Sequence, residues 1–574
     1  MSTKKWISEH CLKSIGGRIR GEYVAPRNEL EKEIVEAFEK VFNLEKVSVY
    51  DDFFNLGGDS LTAIKVLSYL DSNITMADIL SFRTPEDIAK NIIDFHFDLD
   101  MYSLESGCPL NSAQVNVFAD IMVYNKGDSY QTPSYMPIPK TYSLKTILEA
   151  MDKLIEAHPI LSMVLSDEFE DNDKNHLKDN WNVTKDLANL VKTFGMKRLL
   201  SLANGYGAGN TKGLYKMIRT IIKIFKGEYP ILVKGSKPPI IVENTFDKKF
   251  ITDFYAETLD LHDHLAKFLI IESETTYYLF SQVHHIIFDA TSAGVMKNDI
   301  QTLLDGGSIE YDDTFLYTSA LSHEIRESEI FDEAMEHYES VLANLDKTEN
   351  LPEDKKGKGY SMSYSNLNID KEAFKSFLRE TGTTENIFFT SVFAYALSQL
   401  FSGNNVLISI IENGRDILNE NFIGMTSNVM PLVLDCHDQS IESFVDYMSK
   451  MVFGVTRYSF YPILYLYLNY NFEVKTLFQY VPKWIADELT DIEDISSSEI
   501  VNTVLNSYDD FLTELFVQVH QTDDNYRLII INSNKYSKES MQKLQDAFTT
   551  IISNIFDADK SSNISGLLKE NPEG

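Results

Sequence analysis

The sequence predicts a multidomain chain, a small all-α four-helix bundle followed by a much larger unit of two lobes that mixes strands and helices. Three observations carry that expectation. A length of 574 residues exceeds what one core supports and points to two or three units. Capped, amphipathic helical runs crowd residues 24–99, roughly 75 residues and near the lower limit for independent folding. Beyond them, strand-like runs such as Thr276 to Val283 are mixed with helix-like runs such as Ile387 to Phe401.

Within the small unit, Asn28 to Phe42 places Leu30, Ile34, Phe38, Val41 and Phe42 on one helical stripe, with Glu and Lys elsewhere. Thr84-Pro85-Glu86-Asp87 is a helix start: a Thr cap, Pro at the first helical position and acids in the first turn, with a helix of Ile88 to Phe95 following. Between these lies Asp51-Asp52-Phe53-Phe54-Asn55-Leu56-Gly57-Gly58-Asp59-Ser60-Leu61. The Gly-Gly pair carries the backbone through a tight turn, because glycine tolerates positive φ. Ser60 then opens a helix with Leu61, Ile64 and Leu67 on one face. No base or oxyanion motif lies nearby, so Ser60 reads as a serine to be modified; the plain alternative is an N-cap.

Bulk composition narrows the remaining roughly 460 residues. Net charge is −34, from 86 acids against 52 bases, which argues against nucleic-acid partners. Cys11, Cys108 and Cys436 lie far apart without paired or metal spacing, as in a reducing cytoplasm. Met1 to Arg20 has no apolar signal region. The most apolar helical run, Ile387 to Phe401, is too short to span a bilayer and is expected to be a buried helix. A cytoplasmic protein without membrane association is expected.

The second constellation is Val283-His284-His285-Ile286-Ile287-Phe288-Asp289-Ala290, at the end of the strand-like run from Thr276. Neighbours on a strand point to opposite faces, so only one histidine can face a given cavity. An imidazole, with its ordinary pKa near 6.5, exchanges protons at neutral pH. Zinc would need a third ligand; Asp289 could serve, but no Cys or further His follows, and no metal is expected.

Residues Tyr23 to Glu31, Asp51 to Phe54 and Leu56 to Leu61 together resemble the peptidyl carrier (thiolation) domain of nonribosomal peptide synthetases. That resemblance implies 4′-phosphopantetheine attached covalently to Ser60, its thiol holding an aminoacyl or peptidyl thioester. The double-histidine block resembles the HHxxxDG motif of condensation domains. Leu110 to Gln114 resembles the opening SxAQ motif, and Glu156 to Leu161 the RHExLRT motif. Leu259 to Ile270 resembles the strand entry that precedes the double histidine. Asn405 to Arg415 resembles the strand ending in GR, and Ile423 to Leu432 resembles IGxFVNTxPL. The motifs run in order over about Pro109 to Phe556.

The resemblance implies an α+β condensation domain of two chloramphenicol-acetyltransferase-like lobes in a V, with a tunnel at their junction. The implied boundaries are a linker remnant at 1–23, the carrier at 24–99 and a linker at 100–107. They continue with a first lobe at 108–312, a second lobe at 313–566 and a linker remnant at 567–574. The implied reaction joins the carrier's acyl group to the amine of a downstream carrier-bound aminoacyl thioester. His285 is the implied base; taking a proton, holding the amine and stabilising the oxyanion all remain open to it. His284 is its neighbour, Asp289 is architectural, and Arg415 is the candidate salt-bridge partner of Asp289. Ala290, Ser112, Gln114 and Asn428 are tunnel candidates, with ordinary packing or capping as the plain reading of the last three. Implied partners are upstream and downstream synthetase domains (adenylation and acceptor carrier) and a phosphopantetheinyl transferase.

Several positions depart from the family pattern. Ala290 replaces a glycine, and costs of order 1 kcal/mol if positive φ is needed there. Asn116 stands where the opening motif has Arg, Thr426 and Ser427 replace an apolar pair, and Ser162 replaces an Arg. The segment from about 167 to 237 is an expected insertion, with Lys197, Arg198, Lys212, Lys216, Arg219, Lys223 and Lys226 interleaved with apolar residues at helical spacing. Two alternatives accompany amide formation: an epimerisation domain acting on the carrier-bound residue, and a non-catalytic carrier-docking module. The Asn428…Pro431-Leu432 segment and the absence of a Trp and Arg after Asp289 speak against epimerisation.

Overall fold

The computed structural model describes residues 23–568, apart from 59, 71–73, 75, 93–100, 125–129, 170–219, 221–222, 225–226, 350, 352, 358, 402, 416–421, 471, 473, 484–512 and 524. The small unit contains α1 (Glu29–Phe42), α2 (Ser60–Leu67), α3 (Met76–Phe82) and α4 (Pro85–Asn91). Asn28 caps α1 by accepting from the Glu31 N–H, and Thr84 caps α4 by accepting from the Asp87 N–H. The expected run to Phe95 stops earlier: Ile92 turns extended at ψ 142°, and residues 93–95 lie outside the described residues. Ile34, Phe38, Phe53, Ala63, Val66, Ile79 and Ile88 are fully buried, so this bundle has its own core.

The first lobe follows with β1 (Cys108–Pro109), α5 (Ser112–Tyr124), β2 (Gln131–Pro139), α6 (Leu144–Ala157), β3 (Met163–Phe169), β4 (Pro230–Lys234), β5 (Ile240–Glu243), α7 (Lys248–Ala256), β6 (Ala266–Glu272), β7 (Thr276–His284) and α8 (Ala290–Leu304). Its main sheet has the order β2-β7-β6-β5, antiparallel except for the parallel β5–β6 pair. Gln131 on β2 stands opposite His284 on β7. A three-stranded sheet, β1-β4-β3, lies beside it in sequence. The apolar run Ile231-Leu232-Val233 makes β4 its middle strand, so the last part of the expected 167–237 insertion belongs to the lobe itself. Of the basic positions, Lys223 is described and ion-paired to Glu228 at 2.9 Å; Lys197, Arg198, Lys212, Lys216, Arg219 and Lys226 lie outside the described residues.

Helices α9 (Thr314–Arg326) and α10 (Glu329–Val341) lead into the second lobe. That lobe comprises β8 (Tyr360–Leu367), α11 (Lys371–Thr381), α12 (Glu385–Ser398), β9 (Asn405–Glu412), β10 (Asn428–Asp435), α13 (Ile441–Arg457), α14 (Ile463–Asn469), β11 (Thr476–Val481), β12 (Leu515–Gln521), β13 (Tyr526–Ser533) and α15 (Lys538–Ile555). Its six strands are ordered β10-β9-β11-β12-β13-β8, and β11 runs parallel to both β9 and β12. Helix α12 is apolar on all sides, and every residue from Ile387 to Ser398 is buried, as expected of a helix enclosed by sheet and helices. One hydrophobic core runs continuously through both lobes. Among the described residues no helix is long and apolar enough to cross a membrane.

The bundle rests on α13. Arg457 Nη1 lies 3.0 Å from Asp78 Oδ1, and Nη2 donates to the Asn91 carbonyl at 2.9 Å, at the end of α4. The guanidinium sits 4.7 Å from the Phe82 ring centroid, and Phe453, one turn earlier on α13, packs against the bundle's core.

Candidate active site

Strand β7 delivers both histidines to the lobe junction. His284 is its last residue and His285 opens a 3₁₀ turn through Ile287. His284 is 1 % exposed, and its Nδ1 accepts from the Ile286 N–H at 3.1 Å, so it shapes the turn from inside the lobe. Burial, with His285 beside it, pushes its pKa down to about 3, which keeps it neutral. His285 is half-buried. Burial also lowers its pKa, opposed by its own backbone carbonyl, Asp289 and the backbone of Phe288. Its Nδ1 is closed off from solvent. The exposure it keeps therefore lies on the side of Nε2, the nitrogen a substrate can reach.

Asp289 caps α8 in a capping box with Ser292, and its carboxylate is fully engaged. Oδ1 accepts from the Ser292 N–H at 2.9 Å and from Arg415 Nη2 at 2.7 Å. Oδ2 accepts from the N–H and the hydroxyl of Thr426, each at 3.3 Å. Both members of the Asp289–Arg415 pair are 1 % exposed. Arg415 also donates to the carbonyls of Phe422 at 2.7 Å and Gly424 at 3.2 Å, and lies 4.1 Å from the Phe422 ring centroid. Gly414 makes this entry possible: its φ is +65°, and a Cβ there would come within 2.5 Å of the Thr426 carbonyl. The pair thus ties α8 in the first lobe to the 422–428 segment of the second.

Ala290 is the exposed first residue of α8. Among the described residues only Asn43 and Arg83 are non-glycines at positive φ, so alanine at 290 carries no backbone strain. The cost considered for losing the glycine does not arise. Gln114 Nε2 donates to the Ile286 carbonyl at 2.9 Å, fixing α5 against the histidine turn. Asn428 Oδ1 accepts from Asn116 Nδ2 at 2.9 Å across the lobes. Ser112 is turned elsewhere, its hydroxyl 2.9 Å from that of Ser322 on α9. Asp59 and the side chain of Ser60 lie outside what is described. The turn before them is clear: Gly57 has φ +97°, and a Cβ on Gly58 would overlap the Phe53 ring at 2.3 Å.

Two further features arise from contacts between residues far apart in the chain. His158 is 2 % exposed, with Nε2 2.7 Å from Asp299 Oδ2 and Nδ1 3.1 Å from Asp312 Oδ2; the latter oxygen also accepts from the Ile423 N–H at 3.2 Å. Tyr130 places its ring against His285, with centroids 6.1 Å apart and planes at 73°. Among the described residues no group of three or more His, Cys, Asp or Glu could hold a metal ion.

The condensation-domain family profile matches residues 242–566, and a phosphopantetheine attachment site profile matches 32–92. The chain belongs to the condensation-domain family. It is a carrier domain followed by a condensation domain, as in nonribosomal peptide synthetases, and the carrier is of the kind that bears covalent 4′-phosphopantetheine. Surfactin synthase subunit 1 of Bacillus subtilis (strain 168) is 21 % identical over 450 residues, covering 75 % of this chain and 11 % of that protein. The condensation domain from the monacolin K polyketide synthase MokA superposes with a TM-score of 0.55 at 11 % identity, covering 81 % of this chain and all of that one. The first condensation domain of the CDA synthetase gives 0.52 at 14 % identity, covering 80 % and 98 %. The chain spans about a tenth of the length of the first curated relatives it matches.

Proposed function

We propose that this chain is an elongation segment of a peptide assembly line. Ser60 carries the arm, and the condensation domain joins its acyl group to the amine of an aminoacyl thioester on a downstream carrier. The observation that carries the reading is His285: a neutral imidazole at the lobe junction, closed at Nδ1, open at Nε2, and seated on a turn held from both lobes. The Gly57-Gly58 turn and a serine at the first helical position suit an arm that must project from the surface. When attached, the arm supplies a thiol ester as acyl donor.

In the reaction the new C–N bond forms as the C–S bond breaks, and the departing thiol takes up the proton that the amine gives up. An α-amine titrates near pH 7.7–8, so a useful fraction is free base at neutral pH. Its remaining protons become acidic once nitrogen bonds to the carbonyl carbon, so a weak base such as His285 suffices at that point. Holding both partners in near-attack geometry supplies roughly 7–11 kcal/mol in favourable cases. Asp289 cannot share the proton work, because its oxygens are occupied by Arg415, Ser292 and Thr426. Adenylation and acceptor-carrier domains, a phosphopantetheinyl transferase and the cytoplasm complete the proposed setting, and these follow from the carrier chemistry. The test is dipeptidyl-thioester formation by the loaded chain with a matched acceptor carrier. Absence of product with every donor and acceptor pair tried would favour the docking-module reading.

A further inference from the structure

A base on a strand end needs something to hold its ring. In many histidine-based sites a carboxylate does this through Nδ1. Here Asp289, the acid of the same segment, is committed to Arg415, Ser292 and Thr426. His284 is turned inward to the Ile286 N–H. What lies against the His285 ring is Tyr130, edge to face, from the residue just before β2. Its phenol donates to Asp120 Oδ2 at 2.6 Å, and Asp120 sits on α5. That helix is itself keyed to the histidine turn by the Gln114 bond to the Ile286 carbonyl, and to the second lobe by the Asn116–Asn428 pair. Tyr130 is 7 % exposed, so its ring has little freedom to leave.

We propose that Tyr130, clamped by Asp120, is the positioning residue that fixes the rotamer of His285 and so aims Nε2 at the incoming amine. The inference rests on the base role proposed above for His285. Asp120 and Tyr130 transfer no proton to substrate; they act through the imidazole. Because α5 also reaches the second lobe through Asn116, the clamp ties the aim of the base to the seating of the lobes. A phenylalanine at 130 would keep the wall and lose the anchor, and a leucine would lose both.

Two readouts test this on the full chain, loaded at Ser60. In ¹³C-histidine-labelled protein, the resonance missing from His285→Ala identifies His285 among the 12 histidines. Tyr130→Leu should shift that resonance and broaden it, while Tyr130→Phe should shift it less. In single-turnover dipeptide formation, Tyr130→Leu should lose about 30-fold or more in rate and Tyr130→Phe about three- to tenfold, with acceptor-carrier KM unchanged. Asp120→Asn should behave like Tyr130→Phe. Adding Tyr130→Leu to His285→Ala should cost less than twofold further, because a ring that is gone needs no aiming. An unmoved His285 resonance, or full independent losses in the double variant, overturns the proposal. If His285→Ala is itself harmless while wild type makes dipeptide, the base role falls and the positioning role falls with it. A dead His285→Ala beside a normal Tyr130→Leu removes the positioning role alone.

Discussion

Replacing Asp289 with asparagine keeps size and shape while removing the charge that faces Arg415 across 2.7 Å. The carboxylate accepts four donors besides the arginine's own, divided between two oxygens: Ser292 N–H and hydroxyl on Oδ1, Thr426 N–H and hydroxyl on Oδ2. An amide has one oxygen, so its NH₂ must point at a backbone N–H on one side or the other. The guanidinium keeps the carbonyls of Phe422 and Gly424 but is left as a net charge at 1 % exposure. Breaking one side of such a buried pair costs roughly 3–5 kcal/mol. At about 2 °C per kcal/mol for a large unit, the condensation-domain melting transition should fall by roughly 6–10 °C. Calorimetry of the full chain reads this, and phosphopantetheine loading of Ser60 should be intact because the carrier has a separate core. Adding Arg415→Met should be less damaging than the sum of the single changes by more than about 1 kcal/mol, since the two side chains form one interaction. An Asp289→Asn variant with an unchanged transition and no dipeptide formation would refute the architectural role and place the carboxylate in the chemistry.

Intact-mass analysis with a phosphopantetheinyl transferase and coenzyme A should show one added arm, abolished by Ser60→Ala; loading that persists in the variant removes the assignment. His285→Ala should lower dipeptide formation by roughly 10²-fold or more, whereas His284→Ala, which strands the Ile286 N–H, should cost mainly stability, about 1–3 kcal/mol; a loss near threefold for His285→Ala would mean that positioning dominates. Burial alone would lower the His158 pKa, but hydrogen bonds to Asp299 and Asp312 raise it above 6.5. Its contribution to stability is then complete below pH 6.5 and fades as pH rises through the raised value, so His158→Gln should flatten the fall of the melting temperature in that window, and an unaltered profile would count against it. Arg457→Glu sets a like charge against Asp78 at the carrier's seat on α13 and should enlarge the radius of gyration in small-angle scattering without unfolding the carrier; unchanged dimensions would show that the ion pair does not hold the seat.

Elements with a local signature were legible in the sequence. The Thr84 cap, the Gly-Gly turn, the buried helix expected over Ile387 to Phe401, which ends at Ser398, and the strand ending at the double histidine all follow from residues within one or two turns of one another. What escaped depends on contacts between residues far apart in the chain. Tyr130 meets His285 because β2 pairs with β7 in a register that sets Gln131 opposite His284, and no local pattern encodes that register. His158 finds Asp299 and Asp312 more than 140 residues away, so its neighbours in sequence say nothing of its two carboxylates. The three-stranded sheet misled in the other direction: β4 stands about 60 residues after β3, and that gap made a genuine strand resemble the tail of an insertion.

The departures from the family pattern teach a related lesson. Read singly, Asn116 for Arg and Thr426 for an apolar residue look like erosion of an active site. In the structure each has a partner that gives it work. Asn116 bonds Asn428 across the lobes, and Thr426 gives its N–H to Asp289 while its single hydroxyl proton lies between the Asn413 carbonyl at 2.7 Å and Asp289 Oδ2 at 3.3 Å. Here the substituted residues form bonds within the same frame that holds His285 and Asp289, although Asn116 Oδ1 is buried without a partner. Both bonds bridge the two lobes beside the histidine turn, the geometry on which a working catalyst depends. Thr426→Val is the direct probe: it keeps the shape and removes only the hydroxyl. If the frame is maintained for catalysis, the variant should fold with a loss of about 1 kcal/mol and yet slow dipeptide formation by more than that loss of stability explains. Equal activity in Thr426→Val would show that the hydroxyl serves packing alone.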